Sequence, residues 1–315
     1  YTISSAIIVA GFVLLFIQGL NLGVDFKGGR SYIVTFNNPV NATELKVDLT
    51  RSFENTGTEV KMYGKNNVMK VTTSYLIDDD SENADEKVRQ ALISALEGKF
   101  PGIKYTDNES QVDDQHFTIS SSTKVEPTVA EDIKDSAWKA SLFSLIGIFI
   151  YILARFRKWQ YSIGAIAATV HDTLFVFAAF AIAHVFGISF EIDQVFVAAI
   201  LTIIGYSIND TVIIFDRIRE HFAMGTSHDK PKIVNDAINQ TLSRTIITSG
   251  TTLLVVVVLL IFGGEVLRGF AFALFIGIVV GTLSSMFIAG PVMLDLDKED
   301  EKKTQPDNRK KAVPA

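Results

Sequence analysis

The chain contains no cysteine. A disulfide framework, a thiolate metal site and a cysteine nucleophile are all excluded. Charge is scarce: Asp, Glu, Lys and Arg make up 20% of the 315 residues, below the roughly 25% of an ordinary soluble protein. The formal net charge is -6, which argues against nucleic acid as the main partner. No GxxxxGKS or GxxxxGKT segment occurs, so no phosphate-cradling loop for ATP is present. Work done by this chain needs another energy source. The chain opens at Tyr1 inside an apolar run, without Met, a basic n-region or an A-x-A site. That fits a signal peptide poorly; it suits a fragment or a chain once preceded by something.

What is present is apolar. Hydrophobic residues reach 48%, with 23 Phe against 2 Trp. The length sets a prior of about two domains. The apolar residues gather into six blocks: Thr2–Leu20, Ala137–Ala154, Ile163–Phe186, Gln194–Phe215, Thr245–Phe262 and Gly269–Leu294. A helix needs roughly 20 such residues to cross a hydrocarbon core. Runs of this length satisfy their backbone in lipid only as helices. The expected fold is a polytopic α-helical membrane protein with six transmembrane helices.

Basic residues set the orientation. They follow the second block (Arg155, Arg157, Lys158), fill the segment after the fourth (Arg217, Arg219, Lys230, Lys232, Arg244) and populate the tail (Lys298, Lys302, Lys303, Arg309, Lys310, Lys311). That side is read as cytoplasmic, with the C-terminus inside. Residues 22–136 then lie outside, between helices one and two. Strand-like runs fall at Ser31–Phe36, Thr58–Tyr63, Val68–Ser74 and Gln115–Ser120, and helix-like runs at Ala42–Phe53 and Ala84–Leu96. Asn41, and Ser81 or Asn83, stand where caps belong. The order predicts an α+β ferredoxin-like extracytoplasmic domain. The expected division is 1–21 helix one, 22–136 outer domain, 137–295 helices two to six, and 296–315 a disordered tail. The Asp78-Asp79-Asp80 run reads as a solvated loop ahead of a metal or basic-peptide site.

Ionisable residues inside spans are costly and mark functional candidates. Span four carries Asp210, flanked by Asn209 and Thr211; span three carries His171 and Asp172; span five opens at Arg244, one turn before Thr248 and Ser249. For Asp210 the readings are an interhelical hydrogen bond or proton or ion handling, and the hydrated, polar setting favours the second. Arg244 reads as an anchor at a helix end or as a counter-charge. His171 and Asp172 read equally as a structural pair or a relay. An arginine cannot deprotonate, so it acts only by position. Its approach favours the charged carboxylate and its retreat the neutral acid. Gly277 and Gly281, with Ser284, Ser285, Ala289 and Gly290, read as a close-packing stripe.

Several motifs are specific. Gly23-Val24-Asp25-Phe26-Lys27-Gly28-Gly29, the run from Leu201 through Asn209-Asp210-Thr211 to Glu220, His171-Asp172, Arg244-Thr245 with Thr248-Ser249, and Gly269-Phe270-Ala271 to Ser284-Ser285 resemble the SecF pattern of the SecD/SecF protein-export family. That family belongs to the resistance-nodulation-division superfamily. The resemblance covers nearly the whole chain except the charged tail. It implies an accessory subunit, not an enzyme, that works with SecD beside the SecYEG channel in the bacterial inner membrane. It also implies use of the proton-motive force to move preproteins outward, with no cofactor. The partners implied are SecD, SecYEG, the translocating preprotein and membrane lipid, with no nucleic acid. By the same resemblance, Asp210 and Arg244 form the proton relay, with an aspartate supplied by SecD. The missing Met suits the SecF half of a SecD–SecF fusion. Asp25, Gly28 and Gly29 read as a hinge, with Asp25 capping or salt-bridging the turn. Where the family often has Gly-Pro entering span two, this chain has Glu126-Pro127, which removes the permissive residue from that hinge.

Other classes fit less well. A proton-coupled exporter of small molecules or lipids from the same superfamily usually has two outer loops and twelve spans. An intramembrane aspartyl protease could pair Asp172 with Asp210, but its Tyr-Asp and Gly-x-Gly-Asp settings are absent. A passive scaffold has no use for Asp210.

Overall fold

The computed structural model describes residues 2–79, 81, 83–188, 190–225 and 229–304. Helix α1 (Thr2–Gln18) leads through the one-turn helix α2 (Val24–Lys27) into an α/β unit. That unit comprises β1 (Gly29–Thr35), α3 (Ala42–Ser52), β2 (Thr58–Tyr63), β3 (Lys65–Thr73), α4 (Ala84–Lys99), β4 (Lys104–Tyr105) and β5 (His116–Val125). Five long helical stretches follow: α5 (Pro127–Phe156), α6 (Trp159–Val185), α7 (Gln194–Met224), α8 (Lys230–Phe262), and α9 (Gly264–Ser284) continued through a π turn at Ser285–Ala289 into α10 (Gly290–Thr304).

Helices α5 to α8 and the stretch Leu267–Asp297 are long and apolar enough to cross a membrane. The protein is therefore polytopic and helical. Helix α1 is apolar but shorter, at 17 residues. It stops at Gln18 rather than Leu20, where Gly19 takes a φ of 78°. The other long helices outrun their apolar blocks: α5 starts at Pro127 rather than Ala137, α6 at Trp159 rather than Ile163, α8 at Lys230 rather than Thr245 and α9 at Gly264 rather than Gly269, and α7 ends at Met224 rather than Phe215. Hydropathy marks only the apolar part of a helix. The added turns are polar but helix-compatible, and Pro127 occupies the first turn, where its missing N–H costs nothing. Likewise α10 runs to Thr304, so Glu299–Thr304 is helical where disorder was expected. Its Glu and Lys residues are good helix formers. Residues 305–315 lie outside the described residues, as does Asp80 of the acidic run.

The sheet order is β2-β3-β1-β5-β4. The pairs β1–β3, β1–β5 and β2–β3 are antiparallel, and β4 joins β5 in parallel. Alternation along β1 buries Tyr32 and Val34, and Phe36 just beyond it, against Leu45 and Leu49 of α3 and Val88, Leu92 and Leu96 of α4. The i, i+4 spacing places each helix set on one face. Asn41 caps α3, its Oδ1 accepting from the Thr43 and Glu44 amides. Asn83 holds the cap position of α4 without a side-chain bond. Arg30 is buried and donates to Asp85 Oδ1 at 2.6 Å and to the Tyr75 and Leu76 carbonyls at 2.9 Å. Strand β4 was not foreseen; two residues are too few to show a period.

Within the bundle, the apolar windows of α6, α7 and Leu267–Asp297 are 44%, 50% and 61% buried, against 6% for α5 and 17% for α8. The first three form the interior. Helix α1 rests on α6 through Gly11, where a Cβ would lie 2.3 Å from Ala178 Cβ and 2.5 Å from Ala178 Cα. Gly11→Ala must therefore push the helices apart, at a cost of about 1–3 kcal/mol. Thermal unfolding in detergent checks this; an unchanged midpoint refutes it. At the end away from the sheet, Asp297 accepts from Lys230 at 2.6 Å and Lys158 at 3.1 Å. Asp216 pairs there with Arg155 at 2.9 Å and Arg219 at 3.3 Å.

Candidate functional site

The interior helices meet across a layer of hydroxyls and two carboxylates. Asp172 on α6 is buried. Its Oδ2 accepts from Ser207 of α7 at 2.7 Å and from Ser284 of α9 at 2.8 Å. His171 Nδ1 lies 3.2 Å from Oδ1. One carboxylate thus joins three helices. Gly281 makes room for it: a Cβ there would sit 3.1 Å from Ser207 Cβ and 3.4 Å from Asp172 Oδ2. Beside it, Thr211 and Ser285 hydroxyls lie 2.8 Å apart, tying α7 to the π turn.

Asp210, almost one turn beyond Ser207 on α7, is equally buried but differently bonded. Among the described residues it accepts one hydrogen bond, from Ser249 of α8 at 3.3 Å. Ser249 in turn accepts from Thr282 of α9 at 2.7 Å. Thr245 lies one turn before Ser249, on the same face of α8. Its buried Oγ1 has no hydrogen-bond partner among the described residues, nor does His171 Nε2. A buried carboxylate held by one long bond is poorly fixed in place.

The structure brings together some of the predicted residues and separates others. Asp210 and Ser249 meet, as do His171 and Asp172. Arg244 is exposed; among the described residues no ion pair joins it to Asp210. Asn209 is exposed on the other side of α7. Thr248 bonds back to its own helix, at the Arg244 and Thr245 carbonyls.

Asp25, Gly28 and Gly29 lie at the junction between bundle and sheet. Gly28 has φ 71° and Gly29 φ 129°, conformations that suit glycine. A Cβ on Gly29 would lie 2.9 Å from the Thr73 carbonyl oxygen, and one on Gly28 3.1 Å from Pro127 Cα. Asp25 does not cap its own turn. Its Oδ2 accepts from the Gln194 amide at 3.1 Å, at the start of α7. Asp193 caps the same helix through Phe196 N at 2.8 Å.

Burial raises the Asp193 carboxyl above its ordinary value, and the charges of Asp25 and Glu191 add to this. The folded protein then holds that proton more tightly than the unfolded chain. Its contribution is full below the unfolded pKa and falls as pH rises through the folded one. Asp193→Asn keeps the cap without the repulsion. It should melt at or above the unaltered protein at pH 7, the gap closing in acid. Asp193→Ala should cost about 1 kcal/mol. A melting series across pH checks both.

A sequence model described as protein export membrane protein SecD/SecF, C-terminal, matches residues 104–299. A second, the SecD/SecF GG motif, matches residues 13–40. The protein translocase subunit SecF of Rhodothermus marinus is 43% identical over 94% of this chain and 90% of its own length. The chain belongs to the SecD/SecF family. Among its relatives, SecF of Thermodesulfovibrio yellowstonii is 39% identical over 88% of this chain and 84% of its own length. SecDF of Brucella abortus is 36% identical over 93% of this chain but 35% of its own length. A crystal structure of SecDF from Thermus thermophilus superposes with a TM-score of 0.76 at 29% identity, covering 94% of this chain and 37% of that one.

In this SecD/SecF chain part of the polar layer comes from hydroxyls outside the expected site residues. Ser207, Thr282, Ser284 and Ser285 all contribute hydroxyls to it. The sequence marks Ser284 and Ser285 as packing residues, and the structure gives their hydroxyls partners across helices. Gly277 does serve packing: a Cβ there would fall 2.4 Å from Ile203 Cδ1. The available signal was helical spacing, since Ser207 precedes Asp210 by one turn and Ser284 follows Gly281 likewise.

Proposed function

We propose that this chain is a SecF-type accessory subunit of the Sec protein translocase. With SecD, it uses the proton-motive force to promote preprotein export across the bacterial cytoplasmic membrane. The observation that carries the proton-driven reading is Asp210: buried, on an interior helix, and held by one described bond at 3.3 Å. Such an acid can exchange its proton at little structural cost. Arg244, always charged, is the movable counter-charge. A change in their separation converts protonation into displacement of α7 against α8. The membrane potential offers about 2.3 kcal/mol per charge per 100 mV for that cycle.

In this reading α1 is a sixth span, and residues 22–136 form a ferredoxin-like domain on the periplasmic side. Residues 137–295 hold the remaining spans, and the tail from 296 lies in the cytoplasm. The basic ends of α5, α7 and α8 support that orientation. The partners are SecD, the SecYEG channel, the preprotein and membrane lipid; the chain itself makes and breaks no covalent bond.

The test uses sealed vesicles carrying the channel and SecD, with or without this chain. Completion of preprotein transit is followed with and without an imposed proton gradient. The gradient should accelerate transit only when the chain is present. Equal transit in both preparations would sink the reading.

A further inference from the structure

We infer that the segment Phe190–Asp193, entering α7, is the joint that carries movement of α7 to the α/β unit, and that Asp25, Lys70 and Glu191 are the positioning residues that hold it. This rests on the proton-driven reading above.

Covalently, the α/β unit hangs from α1 and α5, through α2 at one end and β5 at the other. Neither helix contributes to the polar layer. Helix α5 is the least buried of the long helices, and in α1 only Gly11 is buried. Movement at Asp210 belongs to α7, which has no chain connection to the sheet. A non-covalent connection is nevertheless built there. The Gly23 amide donates to the Ile192 carbonyl at 2.9 Å, and the Ile192 amide to the Asn21 carbonyl at 2.8 Å. Asn21 Nδ2 donates to the Phe190 carbonyl at 2.7 Å. A Cβ on Gly23 would approach Asp193 Cβ to 3.1 Å and Glu191 Oε2 to 3.2 Å, so the close approach depends on glycine.

Side chains complete the joint from two directions. Lys70 donates to Glu191 at 2.5 Å. The two side chains are 19% and 15% exposed, so the pair is partly removed from water and its loss is felt more than that of a surface pair. Lys70 lies on β3, which is bonded on both edges, to β1 and β2; it is a rigid point of the sheet. Asp25 accepts from the Gln194 amide, one of the free N–H groups at the start of α7. Helix α2 thus grips α7 at its first residue, and the sheet grips Glu191, just ahead of it, through Lys70. A shift of α7 along its axis moves this end, and the α/β unit must follow or the contacts must break.

The experiment uses the complete complex with SecD and the channel in sealed vesicles. Two quantities are read: proton flux that depends on Asp210, and gradient-driven completion of preprotein transit. Glu191→Lys and Lys70→Glu, each alone, should lower gradient-driven transit about tenfold while flux stays within about twofold. The double exchange, Lys70→Glu with Glu191→Lys, restores the pair in reverse and should recover transit to within about threefold of the unaltered chain. A residue that merely supports folding would not separate flux from transit. Single variants that move preprotein as well as the unaltered chain would overturn the joint. So would a double exchange no better than either single, including the case where the singles fail to fold. An unaltered complex with no Asp210-dependent flux would instead remove the proton-driven reading, and this inference with it.

Discussion

On the proposed proton-driven reading, Asp210→Asn should abolish gradient-driven export while the protein still folds. The substitution keeps the shape of the side chain and an oxygen that accepts from Ser249, whose bond to Asp210 spans 3.3 Å. Replacing one long contact by another of the same length should change stability by no more than about 1 kcal/mol. Function responds differently. An amide cannot take up and release a proton at any pH the cell meets, so the proposed cycle should stop altogether. Asp210-dependent flux and the gradient-driven part of preprotein transit should both fall to the level of vesicles without the chain. Melting in detergent should be unaltered to within the limit above. Retained flux would move the carrier role elsewhere. Flux that proved to depend on sodium would keep Asp210 and change the ion.

Asp172 shows the opposite pattern. Its carboxylate takes two hydroxyl donors at 2.7 and 2.8 Å on one oxygen and faces the His171 ring with the other. Asp172→Ala orphans the Ser207 hydroxyl and His171 Nδ1 together, while Ser284 falls back on the Gly281 carbonyl at 3.1 Å. Each buried polar group left without a partner costs about 1–3 kcal/mol, so the total is several kcal/mol. That is a large share of the stability of any domain. The protein should melt far lower and accumulate poorly. Asp172→Asn retains one acceptor oxygen and should fall between. The same melting series compares both carboxylates. If Asp172→Asn melted normally and lost flux as completely as Asp210→Asn, Asp172 would be a second carrier and not a tie between helices.

This contrast was not legible in the sequence. His171-Asp172 and Asn209-Asp210 look alike on paper: an acid beside a polar neighbour in an apolar run. What separates them is the number of hydroxyls that arrive from other helices, which only the packing of α6, α7 and α9 decides. The apolar blocks themselves were plain, because each long helix is apolar over a continuous stretch. Their ends were not, since the polar first turns of α5 and α8 carry no apolar signal. Four of the five strands were legible through alternation, and Thr58–Tyr63 is a strand over those same residues, whereas the two-residue β4 was not. Asp25 could be seen to matter at the glycine pair. Its true partner, the Gln194 amide, lies 169 positions away, beyond the reach of any local pattern.

The π turn at Ser285–Ala289 sets the angular phase of the last helix. Such a turn accommodates one residue more than an α turn. Everything beyond it is rotated by roughly 100° relative to an uninterrupted α-helix. Before it, Ser284 faces Asp172; after it, Asp297 faces Lys158 and Lys230. The added residue changes the rotation between these two contacts by that amount. A single deletion within the turn would regularise the helix and swing one of its ends off target. Changes of length in this stretch are therefore tolerated only in combinations that restore the rotation, a constraint quite separate from which side chains stand there.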